Sequence, residues 1–427
     1  MATGIGGDVV AIIAHGDDVD GLDAAGAAPA GADPESPIQA SGACSVTVPG
    51  AVPGWAALAD RYGRLGLDRC LSDAIDVARR GFAVMPRCAH TWAHRGANCP
   101  PELQPCPTAG EIRRASELAD TLEAIAGEGS SAFYTGQVAA AIASVSWLTE
   151  ADLAACRARW VAPLRHRYRD HEVIEPPPPT QGIAALEALA LLDGLKPTLA
   201  NQIRCTRLAL QDALARVHDG AEVQDLLAPA YLHRRRAELS EPVTEPAGGT
   251  VYLCAVDQGR MAVSLTQSLY APFGSGVIAP GTGVLLQNRA ACFGVHGRIT
   301  PGRRPYHTTI PAMLRRDGAL RGAFGIVGGF IQAQAHLQVV SAVVDDHLDP
   351  QVALDRSRFR IDGDLLRIEE GLDFDDAELA TLMPRISIEH DTFEFGGGQM
   401  ILLEGDALIG GSDRRKDGHA SGISQNT

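Results

Sequence analysis

The 427-residue chain is longer than a typical single domain, and its 45% hydrophobic content is enough to bury a large core. Acidic residues outnumber basic ones 52 to 37, for a net charge of −15. That balance excludes nucleic acid as the main partner, because phosphate neutralisation needs clustered Lys and Arg. No apolar run approaches the roughly 20 residues that cross a bilayer, so no membrane partner is expected. The opening Met1-Ala2-Thr3-Gly4-Ile5-Gly6-Gly7-Asp8 has neither the basic nor the apolar region of a signal peptide. Nine scattered cysteines without a CxxC pair read as reduced thiols, not as a disulfide framework or a zinc site. A cytoplasmic globular protein is predicted.

In chain order, the first fifty residues are rich in Gly, Ala, Asp and Pro, and only Val9 to Ala14 reads as a buried strand. Little precedes it that could cover it. From Gly54 the spacing turns helical: Trp55, Leu58, Ala59 and Tyr62, then Leu67, Leu71, Ile75 and Ala78. Residues 95–108 are a Pro-rich loop, Glu111 to Ala126 a further helix, and Pro176 to Pro179 a connection that neither helix nor central strand accepts. Helical periodicity resumes from Gly182 to about Leu226, and the basic run His233-Arg234-Arg235-Arg236 reads as a solvated helix face. A polar linker at 240–249 precedes a β pattern. Thr250–Val256 and Met261–Leu269 form a hairpin around Asp257-Gln258-Gly259-Arg260, and another strand covers Gly283 to Gln287. Gly325 to Phe330 then leads into an amphipathic helix, Gln332 to Leu348.

Several common chemistry signatures are missing: there is no GxxxxGK[ST] loop, no HExxH and no GxSxG. The informative feature is Gly248-Gly249-Thr250, where linker meets strand. Glycines let the backbone distort and open the Gly249 carbonyl to a neighbouring hydroxyl. A cut there leaves Thr250 with its hydroxyl beside its own α-amine, whose pKa near 8 suits it to take the hydroxyl proton. Read locally, Thr250 serves as well as the first residue of a strand after a glycine turn. Hairpin geometry adds one constraint. A two-residue turn at Gln258-Gly259 sets Gln267 opposite Thr250, and one extra turn residue sets Ser268 there.

The segments TVYLCAVDQGRMAVSLTQSLYAPFGSGVIAPGTGVLLQN, GRRPYHTTIP, GIVGGFIQAQAHLQVV and GGSDRRKDGHASG, with SVTVPGAVPGWAALADRYGRLGLDRCLSDAIDVARRGFAV and LTEADLAACRARWVAPLRHRYR upstream, resemble the gamma-glutamyltranspeptidase family in order and over nearly the whole chain. The RPYHTTIP and LLQNR segments are most similar to its branch of oxamate amidohydrolases and acylases. The resemblance implies an α+β fold, the αββα four-layer sandwich of N-terminal nucleophile hydrolases with two stacked central sheets. It implies a precursor cut between Gly249 and Thr250 into a large subunit, 1–249, and a small one, 250–427. The two would remain associated, and a homodimer of that unit is compatible with it. By resemblance Thr250 is the nucleophile, Ser268 orients it, and the amides of Gly328 and Gly329 form the oxyanion hole. No metal or organic cofactor is called for. Family members carry a helical stretch before GIGGD, so the N-terminus reads as truncated, with the Val9–Ala14 strand less covered.

Substrate recognition departs from the transpeptidases. The aspartate they use for the γ-glutamyl amino group aligns with Cys292, their arginine for the α-carboxylate falls near Ala27 where none exists, their paired serines align with His307 and Thr308, and an asparagine aligns with Tyr270. Arg289 and His307 remain to pair with a carboxylate. The expected substrate is therefore a small amide, γ-glutamyl-type or related, with an acyl group carrying a carboxylate but no ammonium preferred. An unprocessed, inactive relative that only binds small molecules or partners is the competing reading.

Overall fold

The Val9–Ala14 strand runs from Asp8 to His15 and lies at the centre of a five-stranded antiparallel sheet, in the order Arg159–Val161, Asp18–Ala24, Asp8–His15, Ala262–Tyr270, Gly249–Val256. The structure, a computed structural model, describes residues 1–238 and 249–423. Most of the 240–249 linker falls outside these residues. A six-stranded antiparallel sheet lies against the first, in the order Ala407–Ser412, Gly397–Glu404, Ala319–Val327, Ala312–Arg316, His171–Glu175, Leu164–Tyr168. Ile12, Ala14 and Ala262 pack between the sheets against Ile174, Met313 and Ala323. The outer face of the first sheet, Val9, Ala11 and Leu22, meets Ala51, Trp55 and Leu58 of the Ala51–Tyr62 helix. Helices Gly182–Leu192, Leu199–Arg216 and Ile331–Val344 cover the second. The result is the four-layer αββα sandwich.

Several local expectations are corrected. The Val9–Ala14 strand is not poorly covered: its residues are 0–2% exposed. Its partner Asp18–Ala24 is masked in the sequence by four acidic or glycine positions, yet Val19, Leu22 and Ala24 supply the apolar contacts. The long helical stretch after Gly182 splits in two around Gly194 and Pro197, because Pro lacks the amide that continues a helix. The helix expected from Glu111 starts at Ser116, and the strand at Gly283–Gln287 shrinks to Val284–Leu285.

Two corrections concern polarity. The helix read as amphipathic is buried along its whole length. Its polar side chains face protein, not water: Gln334 exchanges hydrogen bonds with the backbone of Ile361, Gln338 with that of Phe359, and His336 bonds Glu175. Nor is the basic run simply a solvated face. Arg234 is exposed, but Arg235 pairs with Asp212, and Arg236 donates to the carbonyls of Ala190, Leu191 and Asp193, which closes the open end of the Gly182–Leu192 helix.

Candidate active site

The hairpin takes the register with the longer turn. Val256 faces Ala262 and Val251 faces Gln267, and a register shift next to Gly249 leaves Ser268 and Leu269 opposite Thr250. Bulges of this kind re-aim side chains. Here the Ser268 Oγ lies 3.4 Å from Thr250 Oγ1 and donates to the Gly249 carbonyl at 2.9 Å. Ser268 Oγ itself accepts from the amide of Tyr270 at 2.9 Å and from Arg289 at 3.0 Å. Tyr270 has φ 75°, a left-handed conformation rare for an aromatic residue, which marks local strain beside Thr250.

Gly328 and Gly329 follow the strand Ala319–Val327 and precede the buried helix, with φ of 122° and 73°. A Cβ at Gly328 would stand 2.7 Å from Ile331 and 3.1 Å from Gly396, so only glycine fits. At the second residue of the helix, Gln332 accepts from the Ile310 amide and donates to Thr250 Oγ1 at 3.3 Å. Gln181 donates to the carbonyls of both Thr308 and Gly329. The proline run therefore does more than connect, because it sets Gln181 as a brace between two segments of the site.

The remaining expected residues form one buried network behind Thr250. Arg289 donates to Thr308 Oγ1 and Ser268 Oγ at 3.0 Å, approaches Cys292 Sγ at 3.9 Å and lies over the Tyr270 ring at 4.8 Å. Asp8 anchors them. Its Oδ1 accepts from the amides of Gly26 and Gly50 and from Gln287, and its Oδ2 lies 3.1 Å from His307 Nε2 and 3.9 Å from Arg289 Nε. Burial and the Arg289 charge pull the His307 pKa down to about 4, so the imidazole is neutral near pH 7. Burial also raises the Cys292 thiol, which leaves it protonated. Arg289 is thus the cation of this network.

Only part of the expected set meets open space. Gly249, Thr250 and Gly328 line a cleft of about 1870 Å³, whereas Gly329 is buried and Ser268, Tyr270, Arg289, Cys292, His307 and Thr308 lie 0–3% exposed behind it. Sequence reasoning missed Asp8, Gln181, Gln287 and Gln332. Asp8 carried a signal, a lone acidic residue after Gly6-Gly7 at the head of a buried strand; the three glutamines carried none. Among the described residues, no group of three or more His, Cys, Asp or Glu is placed to hold a metal, and no helix is long and apolar enough to cross a membrane.

The chain matches the gamma-glutamyltranspeptidase family model over residues 1–423. It is 31% identical over 425 residues to the glutathione hydrolase-like YwrD proenzyme of Bacillus subtilis, covering 89% of this chain and 81% of the relative. It is 30% identical over 429 residues to the oxamate amidohydrolase proenzyme of Klebsiella pneumoniae, covering 88% and 81%. The crystal structure of cephalosporin acylase from Bacillus halodurans superposes with a TM-score of 0.89 at 34% identity, over 99% of this chain and 88% of that one. The network around Thr250 therefore sits on the sandwich of a hydrolase family, and the chain belongs to the gamma-glutamyltranspeptidase family of N-terminal nucleophile hydrolases.

Proposed function

We propose that this chain cuts itself between Gly249 and Thr250 and then works as an N-terminal threonine amidohydrolase or acyltransferase. The observation that carries the reading is the convergence on Thr250: Thr250, Gly249 and the Gly328 turn line the wall of one open cleft, and the Ser268 hydroxyl lies directly behind them, bonded to the Gly249 carbonyl. After the cut, the freed α-amine takes the hydroxyl proton as Thr250 attacks an amide carbonyl. Ser268 holds the nucleophile, and the amides of Gly328 and Gly329 receive the oxyanion. Water or an amine then releases the acyl group. The pieces 1–249 and 250–427 remain associated, because the Asp8–His15 strand pairs with Ala262–Tyr270 from Asp8–Ser268 to Ala14–Ala262, a ladder that the cut leaves whole.

The acyl group that fits is one with a carboxylate and no ammonium. The carboxylate near the network, Asp8, already accepts three hydrogen bonds on one oxygen and faces His307 and Arg289 with the other. The network behind Thr250 offers an incoming ammonium no carboxylate but the engaged Asp8, whereas the buried Arg289 gives that wall of the site a positive charge. An unpaired ammonium in a partly buried site costs on the order of a few kcal/mol. A glutaryl anilide is therefore expected to turn over faster than the matching γ-glutamyl anilide, by about two decades in kcat/KM. A γ-glutamyl preference of tenfold or more would return the chain to the transpeptidase specificity. The self-cleavage test is a denaturing gel with N-terminal sequencing. Wild type is expected as two fragments, the smaller starting at Thr250, and Thr250→Ala as one inactive full-length band. A full-length wild-type band would restore the inactive-relative reading.

A further inference from the structure

The hydrogen bonds at Ser268 fix where its proton goes. A serine hydroxyl has one proton and two lone pairs. Both lone pairs are taken, by the Tyr270 amide at 2.9 Å and by Arg289 at 3.0 Å, so the proton points at the Gly249 carbonyl, 2.9 Å away. Thr250 Oγ1 at 3.4 Å lies beyond a good hydroxyl–hydroxyl bond. Arg289 is fully buried, and its nearest carboxylate oxygen, on Asp8, is 3.9 Å off. The two short hydrogen bonds of the arginine go to hydroxyls, and one of those hydroxyls leads to the bond before Thr250.

We propose that Arg289 is a positioning residue for self-cleavage, acting through Ser268 to polarise the Gly249 carbonyl in the uncut chain. This rests on the self-cleavage reading and adds a role separate from substrate binding. In the step, Thr250 Oγ bonds to the Gly249 carbonyl carbon, and the Gly249–Thr250 C–N bond breaks. The hydroxyl proton ends on the departing Thr250 nitrogen, leaving an ester. Water then hydrolyses that ester, giving the Gly249 carboxyl group and restoring the Thr250 hydroxyl. Negative charge builds on the Gly249 oxygen during attack, where the Ser268 O–H already points. A cation donating into that hydroxyl makes it a stronger donor.

The test follows conversion of full-length chain to fragments during cell-free synthesis, with thermal melting of the products to check folding. Arg289→Lys, which keeps charge but not the fork, and Arg289→Gln, which keeps a donor but not charge, are each made alone and with Ser268→Ala. Loss of one oxyanion-directed donor slows such a step by about 10²–10³-fold, which is the expectation for Ser268→Ala. Each Arg289 variant is expected to slow cleavage about tenfold in the wild-type background and to add nothing to Ser268→Ala. A merely structural arginine would slow both backgrounds alike, and that result overturns the proposal, as does cleavage at the wild-type rate. A wild-type chain that stays whole removes the self-cleavage reading and this role with it. Slowed but complete cleavage in Thr250→Ser, with none in Thr250→Ala, shows that the reading stands whatever Arg289 does.

Discussion

Two buried arginine clusters in this protein look alike by burial and differ in bonding. Near the C-terminus, Arg358 and Arg415 meet Asp413 and Glu369 at 2.5–3.0 Å, and the guanidinium groups also donate to the carbonyls of Leu354, Arg356 and Phe395. Beside Thr250, Arg289 is as buried, yet its nearest carboxylate is 3.9 Å away; an Nε without a hydrogen-bond partner among the described residues is common to Arg289 and Arg358. In the first cluster nearly all donor capacity is matched to fixed carboxylate and carbonyl oxygens. In the second it is aimed at hydroxyls, which can pass a proton or polarisation onward. A buried charge kept with imperfect pairing costs stability. That cost, beside a strained Tyr270 and a bulged strand, sets the Arg289 cluster apart from the C-terminal one.

The comparison can be broken first at the C-terminal cluster. Arg358→Met leaves Asp413 with one of its two arginine partners, and a loss of about 3–5 kcal/mol in unfolding free energy is expected from urea titration. The chain that still folds should cut itself normally. A stability change below about 1 kcal/mol would show that close pairing does not identify a structural arginine here.

Acid separates the clusters next. Burial opposes ionisation of Asp413, but the Arg358 and Arg415 charges outweigh it and hold its pKa below the usual carboxylate value, so Asp413 keeps its charge further into acid. At the site, His307 titrates in the folded state at about 4 and in the unfolded chain near 6.5. Between those values the unfolded state binds more protons, so stability is complete above about 6.5 and falls as pH drops toward 4. The shift corresponds to about 3 kcal/mol. Denaturant melts of His307→Gln against wild type, from pH 7 to pH 4, should show that part of the slope vanish. An unchanged slope would place a charged, not neutral, imidazole beside Arg289.

The smallest effect extends the rule to the Arg234–Arg236 run. Arg236→Ala, which frees three carbonyls at a helix end, should cost about 1–3 kcal/mol in a urea titration. Arg234→Ala should stay within about 0.5 kcal/mol, since its side chain is 65% exposed. Equal effects would mean that backbone contacts do not rank these arginines.

Much of the site was legible in the chain. Gly249-Thr250 gave the nucleophile candidate its mechanism, the turn length gave the choice between Gln267 and Ser268, and the family resemblance pointed to Gly328-Gly329, of which Gly328 shares the cleft with Thr250. The polar braces were not legible. Gln181 follows a proline run and Gln332 opens a helix whose spacing suggested a wet face, and neither type nor spacing shows that each bonds a segment more than 80 residues away.

The sequence by itself determined the hairpin and the Gly-Gly-Thr junction, because periodicity and turn residues are local properties of the chain, and it determined the fold class through the resemblance carried by its motifs and their order. Only the tertiary structure decided which expected residues meet the cleft, that His307 is neutral and that both oxygens of Asp8 are engaged. It also decided that Arg289 points at a hydroxyl leading back to the Gly249–Thr250 bond. Those facts depend on burial and on contacts between distant segments. Asp8 touches the loops at Gly26 and Gly50, the Gln287 side chain and His307 together. A pKa or a proton's direction is set by that whole surrounding, which no short stretch of sequence contains.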